Sequence, residues 1–211
     1  GDVYKRQKLD NEILTINFSK EFLTVNETNE EPMLEALIYS LTELKEIKKI
    51  KILVENIPFT KLPNSNKKLP EYLDKTYGIN KIYNLNSLKE TSKTTIYYLS
   101  KINDYYYYVP VTKVSNEKLE RVEIIIKELK STPIYHTNLI SYLKASANMT
   151  NYELLENAIS LSFNNYLIAN MKEEQILEEV KYSIALSLRD TYGINEVIFN
   201  IPDSENSKIS I

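Results

Sequence analysis

The sequence predicts an α+β protein of two tandem sandwich-type units, each a mostly antiparallel sheet with helices packed on one face. Three observations carry this prediction. A core pattern occurs twice, as ILTINFSKEFL at residues 13–23 and AISLSFNNYL at residues 158–167, and self-similarity of this kind marks a structural unit. Each copy alternates apolar and polar residues at the period of a half-buried strand. Each is followed by a short acidic stretch, a long amphipathic segment containing Tyr-Ser, and a short apolar run.

In the first copy Leu14, Ile16 and Phe18 alternate with Thr15, Asn17 and Ser19; in the second Ile159, Leu161 and Phe163 alternate with Ser160, Ser162 and Asn164. The pairs Asp10-Asn11 and Glu156-Asn157 precede these strands, so each copy closes a hairpin. Asn29 is the expected N-cap of the first helix, with Glu30 and Glu31 at the positive end of its dipole and Pro32 in its first turn. Met33, Leu34, Leu37, Leu41 and Leu44 form its apolar stripe. The second helix is expected from about Lys172 to Thr191, about one turn longer, with Leu177, Val180, Ile184 and Leu188 on one face. Ile50–Val54 and Glu196–Ile201 are the closing strands.

The stretch between the copies carries Pro58, Pro63 and Pro70 and reads as an irregular connector. Its Thr76–Asn80 pentapeptide recurs at Thr191–Asn195, as coincidence or as shared turn chemistry. Thr94–Leu99 and Tyr105–Val114 flank Asn103-Asp104, a hairpin signal. Ser115 or Asn116 is the expected cap of a helix bearing Leu119, Val122, Ile126 and Leu129, and Thr137 that of a shorter helix through Leu139, Ile140 and Leu143. The domain reading is therefore 8–57 for the back half of a first unit, 58–93 for a connector and 94–204 for a complete second unit. The first unit reads as truncated at its N-terminal side. Gly1–Gln7 reads as an artefact of cloning or sequencing, with the native N-terminus upstream.

The net charge of −3 gives no general pull toward nucleic acid. With no cysteine, disulfides, thiolate nucleophiles and Cys–zinc sites are excluded. No apolar run approaches the roughly 18 residues of a membrane-spanning helix, and no signal peptide opens the chain.

Catalytic equipment is scarce. The single histidine, His136, has no second His or any Cys with which to build a zinc site, and a solvated or core histidine is the commoner reading than a general base. Of the three glycines none are clustered, so a phosphate-cradling loop is excluded. The acidic runs Glu27–Glu31 and Glu173-Glu174 fall in first helical turns, where the helix dipole accounts for them better than glycoside or calcium chemistry. No catalytic, cofactor-binding or metal-binding residue is assigned and no cofactor is expected. The remaining candidates are four consecutive tyrosines, Tyr105–Tyr108. Alternate strand residues face opposite ways, and Tyr106 and Tyr108 are taken as the outward pair, a candidate interface. Such a pair can stack sugars or bases or anchor a protein partner. The plainer reading is an aromatic ladder covered by a helix.

Ile13–Leu23 with Ser-Lys-Glu-Phe-Leu at 19–23, Ser40-Leu41-Thr42-Glu43 in the helix, and Ile50–Val54 together resemble the GerMN domain family. That family's pattern is a strand ending near D/N-x-S-x-x-F, a helix containing T-L-T-E, and a closing strand. Leu161–Tyr166 matches the strand again, whereas Ser183-Ile184-Ala185 replaces the helix motif; Thr94–Tyr98 resembles the opening strand and Glu117–Lys130 the first helix. The resemblance covers most of residues 9–204, and its tandem arrangement is the specific part. It implies a non-enzymatic, extracytoplasmic envelope protein of sporulating bacteria, typically a lipoprotein, that scaffolds the complex joining mother cell and forespore. It further implies protein partners in the envelope or sporulation complex, no nucleic acid, and membrane association only through an N-terminal anchor that this sequence lacks; an oligomer is compatible with it. The alternative is an extracytoplasmic module binding glycans or small ligands through the tyrosines.

Overall fold

The strand hairpin β1 (Tyr4–Asp10) and β2 (Ile13–Phe18) opens the computed structural model, which describes residues 4–87, 89–131, 138–168 and 175–211. Tyr4–Gln7 stand antiparallel to Phe18–Ile16, so the opening segment, expected to be extraneous, forms the first half of β1. The turn falls at Asn11-Glu12, one residue beyond the expected pair, with φ of 47° and 61°. Two consecutive left-handed residues make the turn whose twist suits a two-residue hairpin.

Helix α1 (Glu27–Thr42) then crosses to β3 (Lys49–Val54), which runs parallel to β2 with Leu14 beside Ile50, Ile16 beside Ile52 and Phe18 beside Val54. Parallel neighbours need such a crossover. The two-residue β4 (Ile57–Pro58) completes the order β1-β2-β3-β4 through a second left-handed turn at Glu55-Asn56. The side chain of Asn17 holds that turn by accepting the Asn56 N–H and donating to the Asn56 side chain, both at 2.9 Å. Phe22, in a 3-10 turn at Lys20–Thr24, stacks on Phe18 with ring centroids 4.3 Å apart.

The helix is capped by Asn26, three residues before the expected Asn29. Asn26 accepts the Asn29 N–H at 2.9 Å through its side chain and the Glu30 N–H through its carbonyl, so Asn29 already lies in the first turn. Pro32 is consequently interior, where it forgoes a bond to the Thr28 carbonyl. Leu34 and Ile38 are fully buried and Met33, Leu37 and Leu41 flank them, but Leu44 lies beyond the helix and is exposed.

Residues 59–80 are largely irregular, yet Leu62, Leu69 and Leu73 are buried in the same core as Leu34 and Ile38. Carboxylates on α1 fasten this strap. Glu30 accepts the N–H groups of Asn64 and Ser65 at 2.8 and 2.9 Å and the Asn64 side-chain amide at 3.0 Å. Glu35 accepts the Asn80 N–H at 2.9 Å. Burial works against the charged Glu30 carboxyl, but the hydrogen bonds from Ser65 and Asn64 outweigh it and hold its pKa down at about 2. The acidic run at 27–31 thus has a structural task beyond the helix dipole. The first compact unit is Gly1–Asn80 and the second Lys81–Ile211, dividing inside the stretch read as a connector.

The second unit carries β5 (Ile82–Asn84), β6 (Ser92–Ile102), β7 (Tyr105–Ser115), α2 (Arg121–Leu129), β8 (Leu139–Ile140), β9 (Met149–Leu154), β10 (Ala158–Phe163), α3 (Glu178–Tyr192), β11 (Glu196–Asn200) and β12 (Ser207–Ser210). The strands form two sheets, ordered β5-β7-β6-β8 and β9-β10-β11-β12. The latter repeats the first unit: an antiparallel hairpin, a parallel β10–β11 pair joined by α3, and an antiparallel last strand. Ile159, Leu161 and Phe163 are buried against Val180, Ile184 and Leu188 of α3. At 15 residues α3 is not longer than the 16-residue α1. Residues 172–174 of its expected span lie outside the described residues, and Leu177 is its exposed N-cap.

Two further expectations are corrected. The α2 N-cap is Glu120, whose N–H is accepted by Glu123 at 2.9 Å; Ser115 still belongs to β7, Asn116 caps the Asn86 N–H at 3.0 Å, and Leu119 is exposed. Leu139–Ile140, expected in a short helix, pair as a strand with Ser100 and Leu99, because the edge of β6 offers them backbone partners there. Thr137, its expected cap, lies outside the described residues. The two copies of Thr-Tyr-Gly-Ile-Asn share a glycine of positive φ but not a turn, since ψ is 165° at Gly78 and 25°, the left-handed helical value, at Gly193. Gly78 and Gly193 have φ of 89° and 70°, and Tyr77 with Ile79, like Tyr192 with Ile194, packs on its own unit's core.

Replacing Glu30 by Gln should lower the melting temperature at neutral pH. The folded pKa lies below the ordinary 4.5, so this stabilisation is complete above that value and disappears as pH falls through about 2. Thermal melts of both proteins along an acid series should therefore converge. Phe163→Ala should cost about 3–5 kcal/mol in denaturant unfolding, since a fully buried ring leaves a cavity.

Candidate functional site

Residues on the β6–β7 hairpin leave the core progressively toward its tip, where Asn103-Asp104 turns with φ of 49° and 66°. Lys101 and Asp104 form an ion pair at 3.0 Å. The register sets Ile102 opposite Tyr105, Lys101 opposite Tyr106, Ser100 opposite Tyr107 and Leu99 opposite Tyr108. Directly opposed residues share a face, so Tyr105 and Tyr107 lie on one side with Ile102, and Tyr106 and Tyr108 on the other with Lys101.

The two sides differ. Tyr106 shares a hydrogen bond with the Tyr142 hydroxyl at 2.8 Å, the rings meeting edge to face with centroids 6.0 Å apart. Tyr108 packs at a tilt on Tyr182 of α3 at 5.9 Å. Burial, then the nearby Glu179 carboxylate, pushes the Tyr108 hydroxyl up to about 12. The hydrogen bond shared with Tyr106, with burial and Glu179, also raises Tyr142. On the other side Tyr105 and Tyr107 are 70% and 51% exposed, against 40% for Tyr106. Local sequence gives no sign of Tyr142 or Tyr182, which reach the hairpin from distant segments.

Farther down the hairpin the tyrosines turn structural. Tyr97 and Tyr98 are buried; the Tyr97 hydroxyl donates to Asp190 at 2.5 Å and its N–H to Ser187 Oγ at 2.9 Å. Burial, and then Glu128, raises the Tyr98 pKa. Lys113, with its side chain 4% exposed, reaches Glu117 and, at 2.7 Å, Glu128, while Lys127 closes on Glu117 at 2.7 Å. Burial opposes the Lys113 charge, but the two carboxylates prevail and raise its pKa, and Lys113 first, then Lys127, lowers that of Glu117.

Among the described residues no group of three or more His, Cys, Asp or Glu is arranged to hold a metal ion. His136 and Glu173-Glu174 lie outside the described residues. Among the described residues no helix is long and apolar enough to cross a membrane. What the arrangement offers is an aromatic, hydroxyl-bearing ribbon suited to non-covalent recognition.

Residues 2–60 match the family model Germane, described as sporulation and spore germination. Spore germination protein GerM of Bacillus subtilis is 26% identical over 186 residues, 86% of this chain and 51% of GerM, so the chain spans about half the length of that relative. The solved tandem GerMN domains of the sporulation protein GerM from Bacillus subtilis superpose with a TM-score of 0.84 at 22% identity, covering 95% of this chain and 71% of that one. The fold is therefore that of tandem GerMN domains. The solved first GerMN domain of the same protein aligns with 33% of this chain and 53% of its own, at 17% identity and a TM-score of 0.32.

The raised Tyr108 pKa stabilises the fold fully below the ordinary value of 10, and that contribution is lost as pH rises through about 12. Tyr108→Phe should remove this alkaline loss, together with one late-ionising phenol in an ultraviolet titration. Lys113→Met should destabilise by about 2 kcal/mol in denaturant unfolding, less than a fully buried pair because Glu117 and Glu128 keep 21% and 19% exposure.

Proposed function

We propose that this chain, a tandem GerMN-domain protein related to GerM, is a non-enzymatic scaffold of the cell envelope that acts in sporulation. Its task in this reading is to assemble or place the complex that connects mother cell and forespore. The observation that carries the reading is the 26% identity to spore germination protein GerM over 186 residues, a length that must include parts of both units. Supporting a non-enzymatic role, the α1 carboxylates Glu30 and Glu35 are engaged in holding backbone N–H groups. The partners in this reading are envelope or sporulation-complex proteins.

A second reading, a module that binds glycan strands, is favoured by the exposure of Tyr105 and Tyr107. Fluorescent fusion of the full-length gene product in the producing cell tests the first. Enrichment at the membranes surrounding the forespore, with sporulation blocked when the gene is deleted, is the expected result; a diffuse signal with normal spore yield would sink it. Titration with soluble cell-wall fragments separates the second, since a scaffold should leave the tyrosine fluorescence unchanged.

A further inference from the structure

Strand β7 is eleven residues long, but β5 covers its outer edge only at Lys113–Ser115. Among the described residues nothing pairs with that edge along Tyr105–Val109. The backbone direction there follows from the turn. A two-residue hairpin closes on a hydrogen-bonded pair, Ile102 with Tyr105, and bonded and non-bonded pairs then alternate. Tyr106 and Tyr108 therefore fall at non-bonded positions and aim their N–H and C=O groups away from β6. The same alternation makes the Tyr97 N–H point outward on β6, and it does so, donating to Ser187 Oγ at 2.9 Å. Pro110, at the next outward position of β7, has no N–H and ends the run. The result is a short open slot, walled by Tyr105 and Tyr107 on one face and by Tyr106 and Tyr108 on the other.

Natural edges are usually blunted by charge or covered, and β1, the open edge of the first unit, carries Lys8 and Arg6. The slot carries no charge of its own along five residues. We propose that it receives an extended segment of a partner protein, added as a strand beside Tyr105–Val109, with basic side chains on the Tyr106/Tyr108 face and apolar ones on the Tyr105/Tyr107 face. The charge assignment follows from the neighbours. Tyr108 packs on Tyr182 of α3, whose first turn carries Glu178 and Glu179, and both carboxylates disfavour the ionised Tyr108, as Glu179 does the ionised Tyr142. Glu178 is paired with Lys181, whereas Glu179 has no ion pair among the described residues. A Lys or Arg on this face would meet both Glu179 and tyrosine ring faces. Ile102 and the exposed Tyr105 and Tyr107 rings instead present apolar surface to the alternate side chains.

Other occupants fit less well. The part of the hairpin that would enter a lipid layer first is Asn103-Asp104, with the Asp104 side chain 93% exposed and charged. A sugar stacking on Tyr106 would meet a ring whose hydroxyl is already shared with Tyr142.

The inference rests on the scaffold reading and names the contact by which the scaffold would hold its partner. It fails separately, because the peptide measurement below does not depend on where the protein resides in the cell. The probe is a short, acetylated and amidated Val-Lys repeat, added to the full chain while amide exchange at Tyr106 and Tyr108 is followed by NMR. Saturating peptide should slow exchange at both amides by about tenfold or more. The same peptide N-methylated on alternate residues, and a Val-Glu repeat, should not. Glu179→Gln should weaken binding several-fold and flatten its salt dependence, and Tyr105→Ser with Tyr107→Ser should weaken it without altering the melting temperature by more than a few degrees. No slowing at Tyr106 and Tyr108, or equal slowing by the methylated or acidic peptide, would overturn the proposal. So would protection of these amides by anionic lipid vesicles or cell-wall fragments in place of the peptide.

Discussion

Parallel strands cannot be joined by a tight turn, and the two central strands of the sheet repeated in both units are parallel. β2 and β3, like β10 and β11, must therefore be connected across one face, and α1 and α3 make that crossing. Once the helix lies on one face, the strand residues beneath it have to be apolar at every second position, as Leu14, Ile16 and Phe18 and then Ile159, Leu161 and Phe163 are. The outer strands are free of this demand and are added by hairpins, so they need only short turns and tolerate polar sequence.

The two units finish their cores differently. One helix on a four-stranded sheet leaves apolar surface uncovered, and the first unit closes it with the 59–80 strap. Its leucines point inward while its outer side is lashed down by repeated groupings of lysine, tyrosine and carboxylate. Lys51 sits over Tyr72 and pairs with Glu71, Lys67 sits over Tyr77 and pairs with Glu31, and Lys75 sits over Tyr39 and pairs with Glu43. Each is a weak surface interaction; acting on one segment, together with the buried Glu30, they fix its course. The second unit uses a further sheet and α2 instead, and so acquires the projecting tyrosine ribbon that the first unit lacks among its described residues.

The parts of this fold legible in the sequence were those with a period. Alternation located β2 and β10, and the β6–β7 pair was read from two strand-forming runs with Asn103-Asp104, adjacent residues that tolerate left-handed geometry, between them. Helix beginnings were less legible: Asn26 and Asn29 are equally competent caps, and only the fold of the preceding 3-10 turn chooses between them. Leu62, Leu69 and Leu73 fall at the helical spacing i, i+7 and i+11, but Pro63, Pro70 and the polar run between them rule out a helix, so their burial could not be seen. Leu139–Ile140 became a strand because β6 had an unfilled edge, a fact external to those residues. At the tyrosine cluster the sequence singled out Tyr106 and Tyr108, but their partners Tyr142 and Tyr182 lie 36 residues away for the first and on another helix for the second.

Among the described residues, ten other than glycine adopt positive φ, including Asn11, Asn56, Asn66, Asn80, Asn103 and Asp104. The tight hairpins are thus built without the Asn-Gly pair usually chosen for them, and no asparagine in the chain precedes a glycine. That choice has a chemical consequence. Asparagine ages by attack of the following backbone nitrogen on its side-chain amide, and the reaction is fastest where the next residue is glycine and offers no steric obstruction. A chain that makes its left-handed turns with Asn-Glu, Glu-Asn and Asn-Asp keeps the geometry while slowing this reaction at those turns.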